Sequence, residues 1–485
     1  MKLRSRAISA GRWTSFSALG RSALQMLQVV VVARFLAPAD FGLMAITMAL
    51  LGVLSVIADF GISRGIIHFE QIDVRTRSSL YWLNVILATA LSLLVVIAAP
   101  FIARFYDNPA LTWVLAWTAP MLFVTSLGQQ FNVLAEKELE FAKPAQNEIA
   151  AALAGFIACV VSAAWLRAGV FALVAGALVA AIVGALLAWI RLSAGHRPSF
   201  HIDLQEAKPF LRFGGYMVGE NAASTLTRQS DIFLGGWFLG SATLGLYSLA
   251  RDLNLRISMM INQVVTRVTF PLMSRVKNDQ DALADIYAQT LRMTASVNFP
   301  VFVMLGLFAD EVVMLLYGPR FREANDLMRV FAVWGLLRSI GNPIGSLLYA
   351  VGKARRAFAW NIVLLAVLPA AYWVGLRIAR LDGLIVAVLL AQVVLLWPSW
   401  RWLVRPCCGL GFLSFLEQIA IPLVAALLAG ACAWMAAHAL PHGTLRLFVG
   451  SLVGVIAYLG ASMLINRRWL LAMRDLVHIP LWTLR

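Results

Sequence analysis

The residues best placed to do chemistry in this chain are cations and amides set into otherwise apolar sequence. Thr14, Ser17, Arg21, Gln25 and Gln28 are spaced by three and four, which gathers them on one face of a helix. Asn221, Ser224, Arg228 and Asp231 repeat that rhythm some two hundred residues later. Beyond them come Arg251, Asp252, Asn254, Arg256, Asn262 and Gln263, then Arg338 and Asn342. A charge at mid-membrane costs about 3 kcal/mol on insertion scales, so it faces water, a partner or a ligand. Arginine stays ionised, and its planar fork matches phosphate and carboxylate oxygens. The chemistry these residues suit is capture of an anion in a wet cavity.

Several of them also have simpler roles. Arg228 and Asp231 are spaced for an ion pair along one helix. Arg251 and Asp252 are neighbours and point apart on a helix, so one of them is expected to find another partner. Arg21 has no acid three or four residues away. Arg64 and Arg267 fall at cytoplasmic helix ends, where a basic residue is ordinary. Asp59 either finishes a helix or closes an inner gate. Asp59, Asp231, Asp252 and Glu220 are the acids available for proton or sodium coupling, and no spacing selects among them. No organic cofactor or metal site is implied: the four cysteines (Cys159, Cys407, Cys408, Cys432) sit in or beside apolar runs, and the six histidines are scattered.

The elements that carry these residues must cross a membrane. Of 485 residues, 61% are hydrophobic and 13% charged, and the mean hydropathy is +0.80. No soluble chain buries that much apolar surface. The net charge of +16 is read as basic loops on one membrane side, not as a nucleic-acid footprint. "MKLRSRAISAGR" resembles the start of a signal peptide, but the following segment carries Arg21, Gln25 and Gln28 and no small-residue cleavage site. It is therefore kept as a span.

At roughly 20 residues per crossing, about fourteen transmembrane helices are expected. They lie near 12–36, 39–63, 78–103, 109–134, 145–167, 169–191, 209–238, 242–268, 286–316, 324–351, 356–377, 380–403, 414–438 and 445–466. Only Arg34, Arg104, Arg167, Arg320, Arg322, Arg377, Arg380 and Arg446 then fall on the outer side, against more than twice as many basic residues inside. Both termini are expected in the cytoplasm. "SRVKNDQDALADIYAQ" is expected to form a cytoplasmic amphipathic helix. The tail, 467–485, is expected to lie on the inner membrane surface with Trp469 and Trp482 at headgroup depth.

One phrase occurs twice. "RFLAPADFGLM" begins at Arg34 and "WFLGSATLGLY" at Trp237. A gap-free offset of 203 pairs Phe35 with Phe238, Leu36 with Leu239, Ala39 with Ala242, Gly42 with Gly245 and Leu43 with Leu246. It also pairs Ser55 with Ser258, Asp59 with Asn262 and Arg64 with Arg267. Both copies fall on the outer turn joining the first two spans of a half. The expected organisation is two parallel six-helix lobes, 1–191 and 209–403, joined by a cytoplasmic link at 192–208, with two extra helices at 404–466.

With "ARFLAPADFGLMAI" and "LTRQSDIFLGGWFLGSATLGLYSLA" in such a frame, the chain resembles the Wzx-type oligosaccharide flippases. These are polysaccharide exporters of the multidrug/oligosaccharidyl-lipid/polysaccharide superfamily, and the likeness is strongest to the colanic-acid and xanthan types. The resemblance implies an all-α polytopic fold whose lobes form a V-shaped central cavity. It also implies transfer of undecaprenyl-diphosphate-linked oligosaccharides from the cytoplasmic to the periplasmic leaflet of a bacterial inner membrane. A polysaccharide polymerase and a chain-length regulator are the partner proteins it suggests. The candidate cavity set is Arg21, Gln25, Gln28, Asn221, Arg228, Asp231, Arg251, Arg256, Arg338 and Asn342. Asp59, Arg64, Asp252 and Arg267 are the gate or ion-coupling candidates. An enzyme on a lipid-linked substrate would want a large outer loop with acidic or histidine chemistry, whereas outer segments such as "FLAPAD" and "FLGSAT" are short. A drug/cation antiporter of the superfamily should line its cavity with acids. A lipid II flippase shares the cationic logic, but the repeated phrases favour the exopolysaccharide type.

Overall fold

The computed structural model describes residues 2–70, 72–467 and 469. Those residues form helices joined by short turns, with no strand among them. In order these are α1 (Lys2–Val32), α2 (Pro38–Asp59), α3 (Ile62–His68), α4 (Val74–Phe105), α5 (Ala110–Thr118) and α6 (Pro120–Lys137). Then follow α7 (Ala142–Ala164), α8 (Val170–Leu192), α9 (Leu204–Leu239), α10 (Ser241–Arg275), α11 (Gln280–Leu307) and α12 (Ala309–Leu316). The chain closes with α13 (Ala324–Ala350), α14 (Ala354–Ser399), α15 (Arg405–Cys408), α16 (Phe412–His438) and α17 (Thr444–Ile465). The amphipathic tail expected at 467–485 lies almost wholly outside the described residues.

Local chemistry sets the helix starts. Pro38 opens α2, where a missing N–H costs nothing, and the Asp40 carboxylate accepts from the Ala37 N–H at 2.9 Å. Asp203 and Asp279 cap α9 and α11 by accepting from Gln205 (2.7 Å) and Ala282 (3.0 Å) backbone N–H groups. The expected segments fall on helices throughout. Among the described residues, nine helical stretches are long and apolar enough to cross a membrane. Helices α1, α9, α10 and α13 miss that threshold, and they are the helices carrying the polar stripes. One of the nine, Arg355–Cys408, runs 54 residues. It reverses at Ala379 (φ −141°, ψ 28°) and Arg380 (φ 48°, ψ −118°), between the segments expected at 356–377 and 380–403. The sequence "SRVKNDQDALADIYAQ" supplies the end of α10, a short turn and the first turns of α11, whose Leu283 and Tyr287 are fully buried.

By packing, the described chain divides into two compact units: Met1–Ser248 with Leu364–Pro369, and Leu249–Val363 with Ala370–Arg485. In the first, α7 lies against α1 and α8, α6 against α8, and α9 against α2, α3 and α4. Tyr81, Phe131 and Trp189 interlock at its core, the last two edge-to-face with centroids 5.0 Å apart. In the second, α11 packs on α13 and α16, and α16 on α17, around Tyr287, Phe299, Leu347 and Phe415. Its Glu311 carboxylate, 3% exposed, lies 3.1 Å from both Arg446 Nη1 and His442 Nδ1. This contact ties α17 to α12.

The repeated phrase meets itself. Within the first unit, the starts of α2 and α10 touch backbone to backbone. A methyl on Gly42 would sit 1.9 Å from the Ser241 carbonyl oxygen, and one on Gly245 would sit 1.8 Å from that of Pro38. Pro38 and Ser241 are themselves equivalent under the repeat, so the contact is reciprocal, as at a two-fold axis. Overpacking of this kind costs about 1–3 kcal/mol. Gly42→Ala and Gly245→Ala should each lower the thermal midpoint of the solubilised protein by several degrees. Gly219→Ala, in α9 with open space around it, should not. Equal midpoints for all three variants would show that the backbones do not meet.

Candidate functional site

Two wells lined by polar residues, one in each unit, hold residues singled out in the sequence. The well in the first unit measures about 530 Å³ and is walled by Ser55 and Asp59 of α2, Ser63 and Arg64 of α3, Thr125 and Gln129 of α6, and Asn221 of α9. Asp59 ends α2, and Phe60 and Gly61 turn the chain through left-handed backbone (φ 42° and 71°) into α3. That turn lets the Ser63 hydroxyl and N–H both donate to Asp59 Oδ1. Gln129 Nε2 donates to the same oxygen at 2.7 Å and lies 3.2 Å from Ser63 Oγ. Asp59 is therefore a helix-end carboxylate held by a serine and an amide at the wall of the well.

The well in the second unit measures about 620 Å³. Its polar lining is Ser258, Asn262, Gln263 and Thr266 of α10 with Arg338 and Asn342 of α13. Asn262 Nδ2 donates to Ser258 Oγ at 2.9 Å, and Asn298 Nδ2 reaches Asn262 Oδ1 at 3.4 Å. The Arg338 guanidinium lies over the Trp334 ring, 5.1 Å from its centroid.

The two wells are repeat equivalents. Ser55, Asp59 and Ser63 stand 203 residues before Ser258, Asn262 and Thr266. On the facing helices, Thr125 and Gln129 stand 213 residues before Arg338 and Asn342. The ten extra residues belong to longer connections in the second half. Because of them, the gap-free offset leaves Thr125 and Gln129 unpaired, and both were missed. The available signal was a polar Ser-Leu-Gly-Gln-Gln run inside an apolar span, spaced like Arg338 and Asn342.

The wells bring together Asp59, Arg64 and Asn221 in one unit, and Arg338 and Asn342 in the other. The remaining candidates stand outside them. Arg21 is exposed on α1 with its guanidinium 3.9 Å from Glu148 of α7, a partner on another helix that spacing along α1 does not reveal. Gln25 is exposed, and Gln28 hydrogen-bonds the buried Cys159. Arg228 is exposed and donates to Ser224 and Thr225 hydroxyls, the latter at 2.9 Å. Asp231, 7% exposed, accepts from the Tyr247 hydroxyl at 3.0 Å and so joins α9 to α10. Arg251 and Asp252, expected to point apart, bond each other through their side chains at 3.2 Å. The rule that neighbours point apart concerns Cβ directions, and an arginine is long enough to fold back. Asp252 and Arg256 both act on Tyr317, whose phenol is pushed upward by burial first and by Asp252 second, with Arg256 opposing. The side chains of Thr14 and Arg267 lie outside the described residues.

A family model described as "Polysaccharide biosynthesis protein" matches residues 31–326, which include the first well and the Asn262 wall of the second. The chain belongs to this family. It is similar to the lipopolysaccharide biosynthesis protein WzxC of Escherichia coli (strain K12), 29% identical over 87% of this chain and 86% of that one. It is also similar to the teichuronic acid biosynthesis protein TuaB of Bacillus subtilis (strain 168), 26% identical over 93% and 94%. The fold is that of the lipid II flippase MurJ in an inward closed conformation, with a TM-score of 0.76 at 14% identity, covering 96% of this chain and all of that one. Family and fold agree with the resemblance carried by the repeated phrase, and the protein is a multi-pass membrane protein.

The carboxylate network in the first well is open to a direct check. Gln129→Leu removes the 2.7 Å donor to a charged acceptor, a bond type worth about 1.5–3 kcal/mol. The variant should show a lower thermal midpoint and reduced export of polysaccharide. An unchanged midpoint would mean that Asp59 is solvated without the amide.

Proposed function

We propose that the protein is a flippase for undecaprenyl-diphosphate-linked oligosaccharides, moving them from the cytoplasmic to the periplasmic leaflet for surface polysaccharide assembly. The observation that carries this reading is the pair of repeat-related polar wells, one of them cationic, cut into apolar helices of a polysaccharide biosynthesis family member. Arginine meets phosphate, while amides and hydroxyls meet sugar hydroxyls. The lipid tail needs no cavity because it stays in the bilayer. Counting the four polar helices and both halves of the reversed span gives fourteen crossings and two cytoplasmic termini. Residues 1–191 and 209–403 then act as two six-helix repeats that expose the cavity to each side in turn. Proton or sodium coupling would draw on the acids named above, and a polymerase and chain-length regulator would receive the product.

The test is lipid-linked sugar in a deletion strain of the inner membrane. Mass spectrometry of extracted lipids should show a diphosphate-linked repeat unit accumulating, with surface polysaccharide lost, and restoration on complementation. Arg21→Glu and Arg256→Glu should insert normally yet fail to complement. Unchanged lipid-linked sugars with increased sensitivity to cationic dyes would instead assign a drug antiporter.

A further inference from the structure

Duplication gave both wells the same neutral hydrogen-bonding groups and different charges. Ser55 and Ser258, Ser63 and Thr266, and Gln129 and Asn342 are like for like. Two positions change sign. Asp59 becomes Asn262, which removes a negative charge, and Thr125 becomes Arg338, which adds a positive one.

These changes alter the hydrogen-bond balance as well. In the first well the Gln129 amide donates to the Asp59 carboxylate. In the second well no carboxylate stands at that position, and the Asn342 Nδ2 donor is buried without a partner among the described residues. Asn262 cannot stand in for the missing oxyanion, because its own Oδ1 is shared with Asn298 and its Nδ2 is used by Ser258. A buried N–H donor left unpaired is costly, and here it belongs to a residue that lines the same well as a guanidinium. That guanidinium, of Arg338, lies over the Trp334 ring with its carbon 5.1 Å from the ring centroid. An amide donor and a guanidinium in one well call for a negatively charged oxygen.

We propose that the second well is the anion subsite, and that a phosphate oxygen of the substrate takes there the place that Asp59 takes in the first well. Arg338 supplies the charge and Asn342 a neutral donor. The first well already holds a carboxylate, Asp59, beside Arg64, and its hydroxyls and amides suit a hydroxyl-rich group. The assignment rests on the flippase reading for its substrate, but its test does not depend on export.

The probe is farnesyl diphosphate, titrated calorimetrically into the full-length protein in zwitterionic nanodiscs, with farnesol as the uncharged control. The wild type should bind the diphosphate and not farnesol. Asn262→Asp, which installs in the second well the internal anion of the first, should weaken binding at least tenfold at an unchanged thermal midpoint. Arg338→Thr, its repeat equivalent, should do the same. If that variant unfolds, Asn262→Asp decides alone. Arg329→Gln, an arginine paired with Asp310 and Asp326 outside both wells, should bind as wild type. Wild-type affinity in Asn262→Asp, or no diphosphate binding by the wild type, overturns the subsite. Failure of lipid-linked sugars to accumulate in the deletion strain overturns the flippase reading and leaves this titration free to decide the chemistry of the well.

Discussion

Two helix entrances in this protein approach so closely that neither can carry a side chain at the point of contact. Everything in the first unit is arranged around that meeting of Pro38–Gly42 with Ser241–Gly245. It brings the opening turn of α10 against α2, with α9 along α2, α3 and α4, so that Asn221 faces a well whose other walls come from α2, α3 and α6. The contact also explains why one chain repeats a phrase with no reactive group in it. The shared content of the two copies is a helix start followed by a glycine, and the helix start and glycine of each copy are what the other copy touches. Selection on one surface is selection on both.

The second constraint is the cost of polarity inside apolar surroundings. Helices α1, α9, α10 and α13 fall short of the apolarity of the other spans, and their polar groups are satisfied by different means. Asp231 is buried against a tyrosine hydroxyl, and Arg251 doubles back to its neighbour. Groups disposed of in this way are poor candidates for contacting a ligand. Asn342 is the contrast, since its donor is buried and left to whatever enters the well. Partner bookkeeping of this kind separates structural polar residues from functional ones more sharply than position along a helix does.

Most of the architecture is written in the order of apolar runs and caps. The break between the segments at 356–377 and 380–403 was legible, because it depends on residues adjacent in sequence. The site was legible only in part, because a well is made by residues on different helices. The stripe on α1 was read correctly as one face, yet its arginine lies 3.9 Å from Glu148, 127 positions away. Thr125 and Gln129 were passed over because a fixed offset cannot follow a repeat whose connections differ in length.

The wells also show how a repeated scaffold can acquire different chemistry. Changing two positions, one on each facing helix, keeps the hydroxyls and amides and leaves one well with Asp59 beside Arg64 and the other with Arg338. Electrostatics more than shape then favours a phosphate in the second well. Shape can remain generic, which suits a protein whose neutral lining is small hydroxyls and amides able to meet many sugars. The discrimination that matters, charged group against uncharged group, is concentrated in Asp59 and Arg338.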